Sequence, residues 1–247
     1  MRRRTPHSIF VEQVQRRLLA RLAELDVDVI VRELDPFLTN ERRARFESVF
    51  SQRLDSVTVL MDAPYDPHNG AAVLRSCDAF GVHRLHVVER NGLEFLAARQ
   101  VARGSEQWVH VRTYSESKGA LDTLEASGHE LVATHPMGEL NPEDLRQIPK
   151  VCLVLGNERD GIHPELSPAC KRSVRVPMRG FAESLNVSVT GAILLQHATA
   201  GRSGDLSDAE RLFLKARAMI LTIDHAAEIL LAKGIELRPE IFAPVET

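Results

Sequence analysis

Three short segments of this chain place polar side chains where chemistry is possible. The first runs Asn69-Gly70-Ala71-Ala72-Val73-Leu74-Arg75, the second Gly156-Asn157-Glu158-Arg159-Asp160-Gly161, and the third Ser184-Leu185-Asn186-Val187-Ser188. Between them they offer carboxylates, carboxamides, hydroxyls and guanidiniums. Small polar residues placed where buried strands end are how an open α/β sheet builds a ligand site. Taken singly, each residue has a plain structural role. Asn69 is suited to cap a helix, its side-chain oxygen accepting from a free backbone N–H. Arg75 reads as a surface arginine, Glu158 as a loop carboxylate, and Ser184 and Asn186 as caps of the helix behind them. Signatures of other chemistries are missing. No GxGxxG follows the first strand, and no GxxxxGK[ST] is present. Ser184 lies in Ala-Glu-Ser-Leu-Asn rather than in a GxSxG elbow. The ten histidines show no HExxH or paired spacing, so no metal is assigned.

The elements that must position these segments alternate between residues 56 and 200. Val57–Met61 predicts a strand, Pro64–Gly70 a loop, and Ala71–Phe80 a helix ended by Gly81. Strands follow at Arg84–Val88, Trp108–Val111, Glu130–Thr134, Val151–Leu155 and Ser173–Val176, the last stopped by Pro177. Helices are expected at Glu94–Val101, Ser115–Ala126 and from the third segment to Ala200. Val151–Leu155 is apolar without polar alternation, which suits a strand buried on both faces. Such βα alternation predicts an α/β fold with a mainly parallel sheet and helices on both faces.

Residues 1–55 read as a helical extension. Val11, Val14, Leu18, Leu22 and Leu25 recur at helical spacing. Asp35-Pro36 breaks that pattern. Thr39 or Asn40 then caps a helix with Phe46, Val49, Phe50 and Leu54 on one face. Arg42, Arg43 and Arg45 occupy its other face, either as a solvated surface or as contacts to phosphates. Residues 201–247 form a second helical extension. Ser207 and Glu210 suit a capping box there, and a short helix around His225–Ala232 ends at Gly234.

Composition leaves the function class open. The chain has 247 residues and a net charge of -3, which exerts no global pull toward nucleic acid. Cys77, Cys152 and Cys170 lack CxxC spacing and read as reduced thiols. No apolar stretch approaches the roughly 18 residues of a membrane span, and no apolar run follows Arg2-Arg3-Arg4, so a cytoplasmic location is expected.

Together, in order and spacing, the three segments resemble the motifs of the SpoU branch of the SPOUT RNA methyltransferases. Asn69 through Arg75 is similar to the first motif, Gly156-x-Glu158-x-x-Gly161 to the second, and Ser184-Leu185-Asn186-Val187-Ser188 to the third. The resemblance covers about Val57 to Ala200. It implies a deep C-terminal trefoil knot, a homodimer, and S-adenosylmethionine held by backbone around Thr134, Gly156, Val176, Met178 and Leu185. The implied reaction is methyl transfer to a ribose 2′-hydroxyl of RNA. Arg75 would be the key catalytic group, as a base aided by an RNA phosphate or as a cation stabilising the alkoxide; a guanidinium pKa above about 12 in water makes it a poor base. Asn69 would orient Arg75 or the ribose, and Glu158, Ser184 and Asn186 would complete the catalytic set.

The run Glu41 to Arg53, Gly104-Ser105 with Trp108, and the C-terminal helices are similar to those of the tRNA guanosine-18 2′-O-methyltransferases. That points to tRNA as partner, with Arg42, Arg43 and Arg45 binding RNA. Ribosomal RNA as substrate, or a knotted RNA-binding protein without catalysis, are the alternatives. With few aromatics, RNA recognition is expected to lean on phosphate and shape.

Overall fold

The structure, a computed structural model, describes residues 17–18, 20–90, 95, 99–102 and 104–237. Arg53–Asp205 forms one compact unit, and the described residues before and after it form a second.

The larger unit is built on a six-stranded sheet, ordered β3-β2-β1-β5-β4-β6. The strands are β1 (Val57–Asp62), β2 (Arg84–Val88), β3 (His110–Tyr114), β4 (Glu130–Thr134), β5 (Val151–Leu155) and β6 (Arg172–Val174). Every strand pair is parallel. The two most apolar runs, β1 and β5, lie side by side at the centre and are buried throughout. Alternate residues feed two cores. Val57, Val59, Met61, Val151, Leu153 and Leu155 pack on one face. Leu60, Cys152 and Val154 pack on the other. The first face is covered by helix α3 (Pro67–Ala79) through Ala71 and Leu74 and by α6 (Val187–Thr199) through Leu194, Leu195 and Ala198. The second is covered by α5 (Ser117–Ala126) through Ala120 and Leu124. Burying one such leucine side chain contributes about 1.5–3 kcal/mol.

Several boundaries differ from the sequence expectation. The edge strand β3 starts two residues later than Trp108, and β6 ends at Val174 rather than Val176. Of the helix expected at Glu94–Val101, only the short α4 (Arg99–Ala102) lies within the described residues. Leu54 leaves the N-terminal helix altogether: it is buried and bridges Val82 beside the sheet. Helix α3 starts earlier than expected, with Asp66 as its cap accepting from the His68 N–H at 2.9 Å and Pro67 in its first turn. Proline is pre-set for that position because its missing N–H has no partner there to lose. Asn69 is therefore not the cap, and its side chain is free for other use.

In the smaller unit, α1 (Val27–Leu34) is capped by Asp26 and α2 (Asn40–Phe50) by Thr39. The expected capping box of Ser207 and Glu210 opens α7 (Asp208–Thr222), and α8 (Ala226–Leu231) follows. Leu18, Leu22, Ile30, Leu34, Met219 and Leu230 are buried; Leu25 is only partly so. Val11 and Val14 lie outside the described residues. Phe46 and Phe50 stack with centroids 5.5 Å apart. Arg43 is committed: its Nε donates to both Asp35 carboxylate oxygens at 3.1 Å, and it also binds Asn40. Arg42 and Arg45 are exposed. Among the described residues no helix is long and apolar enough to cross a membrane. Cys77 and Cys152 are buried free thiols, Cys170 a half-buried one.

The N-terminal edge of the sheet buries histidines in their neutral form. His86 is 3% exposed, and its Nδ1 lies 2.8 Å from the Tyr114 hydroxyl. Burial, with help from His129 and nearby arginines, pushes its pKa down to about 3. Burial also lowers the pKa of His129, whose Nε2 donates to the Asp55 carbonyl at 2.8 Å. The unfolded chain binds these protons more readily than the folded one. Stability is thus intact above about pH 6.5 and is lost as pH falls toward the folded values. Urea titrations between pH 7 and 4.5 are expected to show a slope approaching about 1.4 kcal/mol per pH unit from His86. His86→Phe should reduce that slope, leaving the part due to His129; a native chain equally stable across that range contradicts the account.

Candidate active site

The carboxyl ends of β4, β5 and β6 open into a cleft of about 630 Å³. Thr134, Gly156, Val176, Met178 and Leu185 all line it, as do Asn69, Glu158, Ser184 and Asn186. Nine residues singled out from sequence therefore meet in one place, from elements as far apart as α3 and the N-terminus of α6.

The second segment is a closed loop. Asn157 and Gly161 exchange backbone hydrogen bonds of 2.8 and 3.0 Å. Gly161 sits at φ 71°, a conformation glycine adopts without penalty. Gly156 is required for a different reason: a Cβ there would lie 2.5 Å from the Gly161 carbonyl carbon. The chain beyond Gly161 is pinned by a polar network. Asp62, at the end of β1, accepts from Arg90 Nε at 2.9 Å and from the His163 N–H at 2.7 Å. Arg90 also donates to Glu165 at 2.9 Å, as does Ser117 at 2.8 Å. Those hydrogen bonds hold the Glu165 carboxyl below the usual carboxylate range.

A directed chain of hydrogen bonds joins the three segments. Glu158 accepts from Asn69 Nδ2 at 2.8 Å and, through its other oxygen, from the Tyr65 N–H at 3.0 Å. Asn69 Oδ1 accepts from Asn186 Nδ2 at 3.0 Å. Asn186 Oδ1 accepts from the Ser188 N–H at 2.8 Å and the Ser188 hydroxyl at 2.6 Å, capping α6. Because the carboxylate at one end accepts only, every amide in the chain has a defined orientation. Asn186 is thus both a cap and a member of the site. The Ser184 side chain is exposed on the rim and makes no hydrogen bond among the described residues.

The cleft fits a nucleoside with a charged tail. Val176 and Met178 offer partly buried apolar surface, Leu185 an exposed apolar side chain, and the glycines leave backbone approachable. Thr134 contributes backbone, since its hydroxyl is used on the Val154 carbonyl at 3.0 Å. The loop after Thr134 lies against β6, where a Cβ on Gly138 would meet the Val174 carbonyl carbon at 2.5 Å. Among the described residues no group of three or more His, Cys, Asp or Glu is placed to hold a metal ion.

Arg75 is the exception. It lies on α3 six residues beyond Asn69 but does not line the cleft; it is exposed and unpaired among the described residues. Sequence reasoning also missed Tyr65, which lines the cleft beside Glu158. An isolated tyrosine before a helix cap carries no periodic signal that could have marked it.

Comparison with known proteins places these features. A model of the SpoU rRNA Methylase family matches residues 56–196. The tRNA (guanosine(18)-2'-O)-methyltransferase of Borreliella burgdorferi is 33% identical over 175 residues, covering 69% of this chain and 79% of that protein. The crystal structure of the A. aeolicus TrmH/SpoU tRNA modifying enzyme superposes with a TM-score of 0.66 at 30% identity, covering 74% of this chain and 98% of that one. The SpoU methyltransferase AviRb from Streptomyces viridochromogenes, in complex with AdoMet, gives a TM-score of 0.54 at 26% identity over 63% of this chain and 62% of its own.

Proposed function

The chain belongs to the SpoU rRNA methylase family, and on that premise we propose that it methylates a ribose 2′-hydroxyl of tRNA, at guanosine 18, using S-adenosylmethionine. The observation that carries this reading is the hydrogen-bonded chain from Glu158 through Asn69 to Asn186, set on the rim of a cleft lined by all five residues expected to hold the cofactor.

When bound, S-adenosylmethionine supplies a methyl group on a sulfonium centre. The protein's residues prepare the acceptor. Asn69 and Asn186, their amides fixed by Glu158, orient the ribose. As the hydroxyl oxygen takes the methyl, the sulfur–methyl bond would break to leave a neutral thioether and the hydroxyl proton would pass to solvent water; the negative charge developing on that oxygen needs a cation. An exposed guanidinium stays protonated, so the role assigned to Arg75 is to hold the RNA phosphate and stabilise the alkoxide. Arg75 lies outside the single-chain cleft, so the site is completed by assembly. The reading adopted is a homodimer with a deep C-terminal trefoil knot, in which a second copy and the bound RNA bring Arg75 to the reacting oxygen. Ser184 lines the approach to that centre.

The RNA class is tested by supplying labelled S-adenosylmethionine with either tRNA or ribosomal RNA. Label in tRNA supports the reading; label in ribosomal RNA alone replaces the substrate, and label in neither leaves an RNA-binding protein. Phosphate contacts are assigned to α2, with Arg42 and Arg45 outward and Arg43 bracing the helix against Asp35. Each such contact contributes about -0.7 to -0.9 to the slope of log affinity against log salt. The double variant Arg42→Ala, Arg45→Ala should therefore make tRNA binding less salt-dependent by about 1.5 in that slope. An unchanged slope returns both arginines to a solvated face.

A further inference from the structure

We propose that Tyr65 and Arg159 form a stacking platform for the base of the nucleotide being methylated. The inference rests on the methyltransferase reading above and assigns the acceptor's base a place within it.

The Arg159 guanidinium carbon lies 3.6 Å from the centroid of the Tyr65 ring. That is the spacing of one flat group layered on another, with the cation over the negative face of the ring. Both residues are exposed, Tyr65 at 51%. Neither is needed by the core. Beyond this stack, the Arg159 side chain makes no hydrogen bond or ion pair among the described residues, although Asp160 follows it in the chain.

The stack is also held in place from below. The Tyr65 backbone N–H donates to Glu158 Oε2 at 3.0 Å, so the backbone that carries the ring is tied to the carboxylate that fixes Asn69. The Arg159 N–H donates to Asn157 Oδ1 at 2.9 Å. Two residues before Tyr65, Ala63 adopts φ 45°, a conformation a side chain rarely takes, and there the chain turns out from the end of β1. Strain of this kind persists where the surroundings enforce it, and it is often found at functional positions.

A ribose drawn into a cleft between protein elements takes its base away from the neighbouring bases of the strand. A base so exposed needs a new neighbour, and proteins that bind unstacked RNA provide aromatic rings or guanidinium planes. Here one such layer is already built beside the ribose-orienting amides. The incoming base adds the next layer, and a purine adds more overlap than a pyrimidine.

The test compares the native protein with Tyr65→Ala and Tyr65→Phe, using steady-state kinetics, calorimetry of S-adenosylmethionine, and a tRNA carrying fluorescent 2-aminopurine at the acceptor nucleotide. Tyr65→Ala is expected to raise KM for tRNA about 10-fold with cofactor affinity unchanged, while Tyr65→Phe behaves as native. Native protein and Tyr65→Phe quench the 2-aminopurine; Tyr65→Ala does not. Unchanged KM and quenching in Tyr65→Ala overturn the proposal. So does a loss confined to kcat and cofactor affinity, which marks the pair as a brace for the Glu158 loop. A native protein that quenches yet transfers no methyl to any RNA keeps the platform and removes the methyltransferase reading.

Discussion

Replacing Arg75 with alanine is expected to cut kcat for methyl transfer by a factor of at least about 100, while S-adenosylmethionine binds with unchanged affinity. The separation follows from where the side chain sits. Asn69 and Arg75 share α3, but six residues at about 100° each leave them about 120° apart around the helix. Asn69 turns into the cleft and Arg75 is left outside, exposed and without a partner among the described residues. The substitution therefore touches neither the cleft nor the core. If a second copy completes the site, Arg75→Ala and Asn69→Ala are deficient in different halves of it. Mixing the two inactive variants should then restore activity, to about a quarter of native if subunits exchange at random and one site in each mixed dimer is intact. Native turnover by Arg75→Ala removes this residue from the mechanism, and an inactive mixture places Arg75 and Asn69 in one subunit's site.

The second large effect is expected from Gly156→Ala. An added Cβ would fall 2.5 Å from the Gly161 carbonyl carbon and 2.7 Å from the Ile162 nitrogen. Both are backbone atoms, so no side chain can rotate away. The ring closed by Asn157 and Gly161 must open or shift, and with it Glu158, on which Asn69 depends. Overpacking of this kind costs about 1–3 kcal/mol. Calorimetry should show S-adenosylmethionine affinity reduced at least about 10-fold, because a shift of that loop removes backbone from the cleft wall. Native affinity in a folded Gly156→Ala protein would show that the loop does not hold the cofactor.

The central strands are legible in the sequence because burial on both faces leaves an uninterrupted apolar run, as at Val151–Leu155. The edge strands are less so. β3 is only half buried, and His110 to Tyr114 carries no continuous apolar signal. The start of α3 was obscured by two competing caps. Asn69 has the right side chain, but Asp66 followed by Pro67 has the better local geometry. That competition frees Asn69 for the cleft. The motif residues themselves are visible as types, and their meaning came from order and spacing against a known family. Their hydrogen-bond directions were not visible, since these depend on which atom of Glu158 meets which amide across 89 residues of chain. The contact of Tyr65 with Arg159 is still harder to see, because a stack between distant loops has no local period. The apolar stripes of the two terminal segments are readable, whereas their joining in one compact unit is a tertiary fact.

The most direct test is to identify the modified nucleoside itself. After incubation of the protein with methyl-labelled S-adenosylmethionine and an unmodified tRNA transcript, nuclease digestion and mass spectrometry locate the label. The predicted product is 2′-O-methylguanosine at nucleotide 18, the position named for the Borreliella burgdorferi relative. A methyl group on a base, on the ribose of another nucleotide, or on no nucleotide of the tRNA would contradict the account.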